Sequence, residues 1–106
     1  MAEEMKEVKG DVKNCNWRHS SHIAWRKVAD EAVILDMDTA VYYSLNEVGT
    51  RIWELLVAGG RSVPEVIQAV AEEYDAAEGS IQRDVHEFIR NLQKEKVIEQ
   101  ATDPEL

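Results

Sequence analysis

VYYSLNEVGTRIWELL, residues 41–56, changes its period in the middle, and that change decides the fold. Val41–Leu45 is rich in β-branched and aromatic residues. It sets Val41, Tyr43 and Leu45 on one face and Tyr42 and Ser44 on the other, the alternation of a strand. Asn46 then supplies a helix N-cap, and Val48, Ile52, Trp53, Leu55 and Leu56 recur at helical spacing until Gly59-Gly60 stops the run. A strand that passes directly into a helix predicts an α+β domain with one small core.

Upstream of this stretch, His22–Val28 alternates, with Ile23, Trp25 and Lys27 opposite Ala24, Arg26 and Val28. Ala29-Asp30-Glu31 breaks the pattern, and Ala32–Met37 (AVILDM) is short, apolar and β-branched. Asp36-Met37-Asp38-Thr39 carries turn chemistry. Three short strands with tight connections predict an antiparallel meander. Downstream, Ser62 caps a second helix with Pro64 in its first turn and Glu65 placed for a capping box. Its apolar stripe is Val63, Val66, Ile67, Val70, Ala71 and Tyr74. A third helix is expected from Ser80, with the stripe Ile81, Val85, Phe88, Ile89 and Leu92 and with Lys94–Lys96 at its negative dipole end. Val97-Ile98 returns the chain to the core. The predicted order is βββααα over residues 21–100. Residues 1–20, where charges alternate without hydrophobic periodicity, read as a flexible arm, and residues 101–106 as a frayed tail.

A chain of 106 residues has room for one such domain, and 44% hydrophobic with 31% charged residues is a globular composition, not a disordered one. The net charge of -9 opposes a grip on nucleic-acid phosphates and on anionic membranes. No apolar run approaches the roughly 20 residues of a membrane span. The N-terminal MAEEMKEVKGDVKN lacks the apolar core of a signal peptide. With Cys15 alone there is no internal disulfide framework, and a reducing cytoplasmic setting is expected.

No catalytic constellation emerges. His19 and His22 flank Ser20-Ser21 at a strand start, with no cysteine or acid at ligand spacing, and read as incidental surface histidines. Cys15 lies in the polar arm with nothing to lower its pKa. Asp36 and Asp38 suit a turn. Gly59-Gly60 lacks the Gly-Lys-Ser/Thr ending of a phosphate loop. Glu72, Glu73, Asp75 and Glu78 read as a solvated face. The expectation is a protein that is not an enzyme, with no metal or cofactor. Three helices beside a small sheet could also form a winged helix-turn-helix that reads DNA. Five acids and no Lys or Arg between Val63 and Gly79 oppose that use.

The quoted stretch, the glycine break, VPEVIQAVAEEY and IQRDVHEFIRNLQKEKVIE together resemble the PqqD family. That family includes the pyrroloquinoline quinone biosynthesis chaperone and related precursor-recognition domains. The motif is Leu45-Asn46-Glu47-x-Gly49-x-x-Ile52-Trp53, supported by Val66, Ile67 and Tyr74. Asp84-Val85-x-x-Phe88-Ile89-x-x-Leu92 and a terminal Val97-Ile98-Glu99 complete it. The likeness covers about residues 22–99, and the longer N-terminal arm departs from it. It implies a winged-helix fold in which the leader of a ribosomally made precursor peptide adds as a strand beside the third strand, in a groove closed by the third helix. An unpaired sheet edge is suited to that β-augmentation.

Carried onto this chain, the edge strand is Val41, Tyr42, Tyr43, Ser44 and Leu45. The groove wall comes from Arg83, Asp84, Glu87, Phe88, Asn91 and Leu92, with Arg83, Glu87 and Asn91 forming a polar rail at steps of four. Asn46, Gly49 and Trp53 read as fold determinants. The implied partners are a precursor leader peptide and a modifying enzyme, such as a radical SAM protein or a leader peptidase. The alternatives are a winged-helix transcriptional regulator and a protein-interaction scaffold.

Overall fold

The computed structural model describes residues 16–101. Strand β1 (Trp17–His19) precedes β2 (Ile23–Val28), β3 (Glu31–Asp36) and β4 (Val41–Ser44). Helix α1 (Glu47–Ile52) continues directly into a π-helical stretch over Trp53–Ala58. Helices α2 (Val63–Glu73) and α3 (Glu78–Lys94) and strand β5 (Ile98–Gln100) follow. The expected meander is present as an antiparallel sheet in the order β2-β3-β4. Its register pairs Trp25 with Ile34 and Ile34 with Tyr43. The βββααα order holds, with one further strand at each end.

Alternation places Ile23, Ala32 and Ile34 inward, where they are buried against the helices. The stripes of α2 and α3 meet them there, and Trp53, fully buried, fills the centre. Trp25 packs edge-on against the Trp53 ring with centroids 5.7 Å apart. Buried Thr50 joins α1 to the sheet: its hydroxyl accepts from Ala32 N at 2.7 Å and donates to the Leu45 carbonyl at 3.2 Å. Both helix caps read from the sequence are made. Asn46 Oδ1 accepts from Gly49 N at 2.8 Å, and Ser62 and Glu65 exchange the two bonds of a capping box. Gly49 suits that closeness, since a Cβ there would stand 3.2 Å from Asn46 Oδ1, a tight contact. At the end of the π-helical stretch Gly60 takes φ +66°, and Arg61 N reaches back to the Leu55 carbonyl at 3.0 Å.

Three expectations need correcting. The loose arm over residues 1–20 gives way at Trp17, which is 2% exposed and begins a strand paired with β5. Ser20 completes that clamp, donating from N to the Val97 carbonyl and from Oγ to the Lys96 carbonyl, both at 2.9 Å. Residues 1–15, and with them Cys15, lie outside the described residues, as do residues 102–106 of the expected tail. Ala101 N bonds Asn16 O at 2.9 Å and so belongs to the clamp. Next, α3 begins at Glu78 with Ala77 as its cap, not at Ser80. The tight turn at Asp75 (φ 51°) ends α2 early enough for the helix to start two residues sooner. Finally, His19 is not an incidental surface residue: it stacks on Trp53 with centroids 6.4 Å apart and planes at 12°.

Candidate functional site

Among the described residues β4 has a partner on one side only. The ladder tells which of its backbone groups are free. Leu45 N donates to the Ala32 carbonyl and Met37 N to the His22 carbonyl. In an antiparallel ladder, residues with both groups turned inward alternate with residues whose groups turn outward. Combined with the register, this directs Tyr43 towards Ile34 and turns the N–H and C=O of Tyr42 and Ser44 away from the sheet. The free edge therefore offers two donors and two acceptors at the spacing an extended chain matches.

Beside the end of β4 lies a groove of about 380 Å³, lined by Asn46, Val48, Gly49 and Ile52 and, from α3, by Asp84, Glu87, Phe88 and Asn91. Its floor is apolar, with Ile52 buried and Phe88 half-buried, and its rim carries two carboxylates and two amides. Tyr43 ties the edge strand to the end of α3, where its hydroxyl donates to Glu95 Oε1 at 3.5 Å. Partial burial, followed by the negative charges of Glu95 and Asp36, holds the Tyr43 phenol above its ordinary value of 10, so it stays a neutral donor. On the outer face of the sheet, Tyr42 is 68% exposed and lies over an apolar shelf with Ala24, Val33 and Leu35.

Of the wall residues expected from sequence, Asp84, Glu87, Phe88 and Asn91 come together in the groove. Arg83 is exposed and does not line it, so the polar rail runs through Asp84, Glu87 and Asn91 instead. Leu92, 7% exposed, is core. The opposite wall, Val48, Gly49 and Ile52 with Asn46, was not expected as a lining. Its only sequence signal is that these positions share one helical face.

The fold also gathers His22, Asp36 and Asp38, whose ligand-type atoms lie within 4.8 Å of one another, although no acid is near the histidine in sequence. Turn building accounts for this group. Asp36 Oδ1 accepts from Asp38 N at 2.9 Å and Thr39 N at 3.1 Å, and its other oxygen lies 3.6 Å from His22 Nε2. Helix α3 carries three acids and three Lys or Arg residues, so it has no net positive charge to draw phosphates to it. Among the described residues no helix is long and apolar enough to cross a membrane.

Residues 31–98 match a family model described as coenzyme PQQ synthesis protein D, PqqD. No match was found among curated proteins. Among solved structures, TbiB1 in complex with the TbiA(beta) leader peptide is similar at 31% identity and a TM-score of 0.74, over 81% of this chain and 99% of that one. Lasso peptide synthetase B1 complexed with the leader peptide shares the fold at 23% identity and a TM-score of 0.73, over 79% of this chain and 98% of that one.

Proposed function

Since the chain belongs to the PqqD family, we propose that it binds the leader region of a ribosomally synthesised precursor peptide and presents it to a modifying enzyme. The leader adds as a strand to β4, and its side chains on the inner side meet the groove walled by α3. One observation carries this reading: the strand whose Tyr42 and Ser44 backbone groups turn outward runs through Leu45 into Asn46, the first residue of a groove with an apolar floor. Backbone pairing gives affinity there, and the groove gives specificity. The similarity to TbiB1, described in complex with a leader peptide, supports it.

On this reading the protein is a binding module and not an enzyme. Its site residues are Val41–Leu45 with Asp84, Glu87, Phe88 and Asn91. The chemistry on the leader belongs to its partner, a radical SAM protein or a leader peptidase, and the setting is the cytoplasm, where the precursor is made. The test is a titration of isotope-labelled protein with the TbiA(beta) leader and with leaders of candidate precursors. Saturable amide shifts at Val41–Leu45 and Asp84–Asn91 are expected. Saturable shifts confined to other elements would move the site, and the absence of any shift with every leader would overturn the function.

A further inference from the structure

Asp84 and Glu87 are the two acids that line the groove, and they differ from the acids engaged in ion pairs. Glu54 meets Lys27 and Arg51, Glu73 meets Arg51, and Glu99 meets Arg18. Asp84 and Glu87 have no hydrogen bond or ion pair among the described residues, and no Lys or Arg lines their groove. Arg83 and Arg90 lie four before and three after Glu87 on α3, yet neither pairs with it among the described residues and neither lines the groove, so both carboxylates face the groove unpaired. Below them, Val48, Ile52 and Phe88 supply an apolar floor. A rim of uncompensated carboxylates over an apolar floor fits one kind of side chain, a long aliphatic stem ending in a positive charge. Such a stem lies on apolar surface while its head reaches polar partners. The chain's net charge of -9 adds a long-range attraction for the same class of ligand.

We infer that the groove between α1 and α3 selects a lysine or arginine of the bound peptide, with Asp84 and Glu87 as the residues that determine this choice. The inference rests on the leader-peptide reading above and adds the class of peptide. The selected leader carries a basic residue a few positions from the one that pairs with Ser44, because the groove opens at Asn46, two residues beyond it. Asn46 Oδ1 is occupied as the helix cap, which leaves the side-chain carbonyl of Asn91 as the neutral acceptor of the rim.

The experiment is selection from a random 12-residue peptide library displayed on phage, against immobilised full-length protein and two variants. Both substituted positions are exposed on α3, so D84N/E87Q and D84K/E87K are expected to keep the fold, which circular dichroism checks. Peptides enriched on the unsubstituted protein are expected to share a Lys or Arg at one position. D84N/E87Q is expected to lose that preference, and D84K/E87K to select Asp or Glu there. For one enriched peptide, replacing its basic residue by Gln should weaken binding roughly fivefold to the unsubstituted protein and leave D84N/E87Q unaffected, with the difference shrinking in high salt. Peptides that bind with no basic preference, yet lose binding on Ser44→Pro, would overturn the charge selection and leave the edge-strand reading in place. Failure to enrich any peptide sensitive to Ser44→Pro would overturn both.

Discussion

Proline at position 44 separates the edge from the fold. Ser44 N–H points away from β3, so a proline there removes no bond from the existing ladder. Strand geometry at an outward edge position tolerates proline, and the preceding Tyr43 is already extended, as a pre-proline residue should be. Folding should therefore cost below about 1 kcal/mol. Peptide addition is affected differently. One bond of about 0.5–1.5 kcal/mol is lost, and the facing peptide carbonyl is left short of a donor at roughly 1–3 kcal/mol if water is excluded. Since the two overlap, a net loss of about 1.5–3 kcal/mol is expected, roughly ten- to hundredfold in Kd. Tyr43→Pro is the control: it removes the bond towards Ile34, a fully buried residue, and should destabilise the fold itself by about 1–3 kcal/mol. Fluorescence anisotropy with a labelled leader peptide, paired with thermal melts by circular dichroism, measures both quantities. A Ser44→Pro protein that melts normally and binds the leader as well as the unsubstituted chain would refute strand addition at β4.

Other substitutions test the fold and its electrostatics. Trp17→Ala should cost about 3–5 kcal/mol in urea unfolding, whereas an unchanged midpoint would return residues 16–20 to the arm. Asn46→Ala removes the cap on Gly49 and should cost about 1 kcal/mol, lowering Tm by roughly 4–8 °C in a calorimetric scan. Glu73 is held below its ordinary value of 4.5 by its hydrogen bonds from Arg51, and Glu54 by that from Lys27. Such carboxylates bind fewer protons folded than unfolded, so their stabilisation is complete above that ordinary value and is lost as the pH falls through the lowered folded values. Urea midpoints measured across pH 3–7 should fall on the acid side of this window, and Arg51→Gln should flatten that limb.

The sheet meander and the helices were legible from separate local signals: alternation in Ile23–Val28, a short β-branched apolar run in Ala32–Met37, and helical returns in Val63–Tyr74. Strand β1 was not legible, because Trp-Arg-His is too short for a period and its partner, Ile98–Gln100, lies at the other end of the chain. The one local hint was a tryptophan inside a polar stretch. The edge strand could be read for a similar reason, since alternation alone separates Tyr42 and Ser44 from Tyr43. The groove could be read only in part. Ile81, Val85, Ile89 and Leu92 are the buried line of α3, with Phe88 at its margin, so Leu92 turns to the core while Phe88 reaches the groove. Which margin of α3 faces α1 depends on how the two helices cross, and no spacing within either helix encodes that.

The walls of the groove are held from behind, not across its mouth. The bond from Tyr43 to Glu95 is 3.5 Å long and exposed, at the outer limit of a hydrogen bond, so it contributes little. By contrast, α1 is fixed to β3 through buried Thr50, and the end of α3 is fixed through Ser20 and the β1–β5 pair. A chain entering beside β4 therefore disturbs one weak bond and finds walls whose positions are already set by the core. The ordering cost of binding then falls mainly on the peptide. On the proposed reading, two outward residues, Tyr42 and Ser44, and four α3 side chains would then supply affinity from groups left unsatisfied or uncovered, and the buried bonds behind them would supply precision.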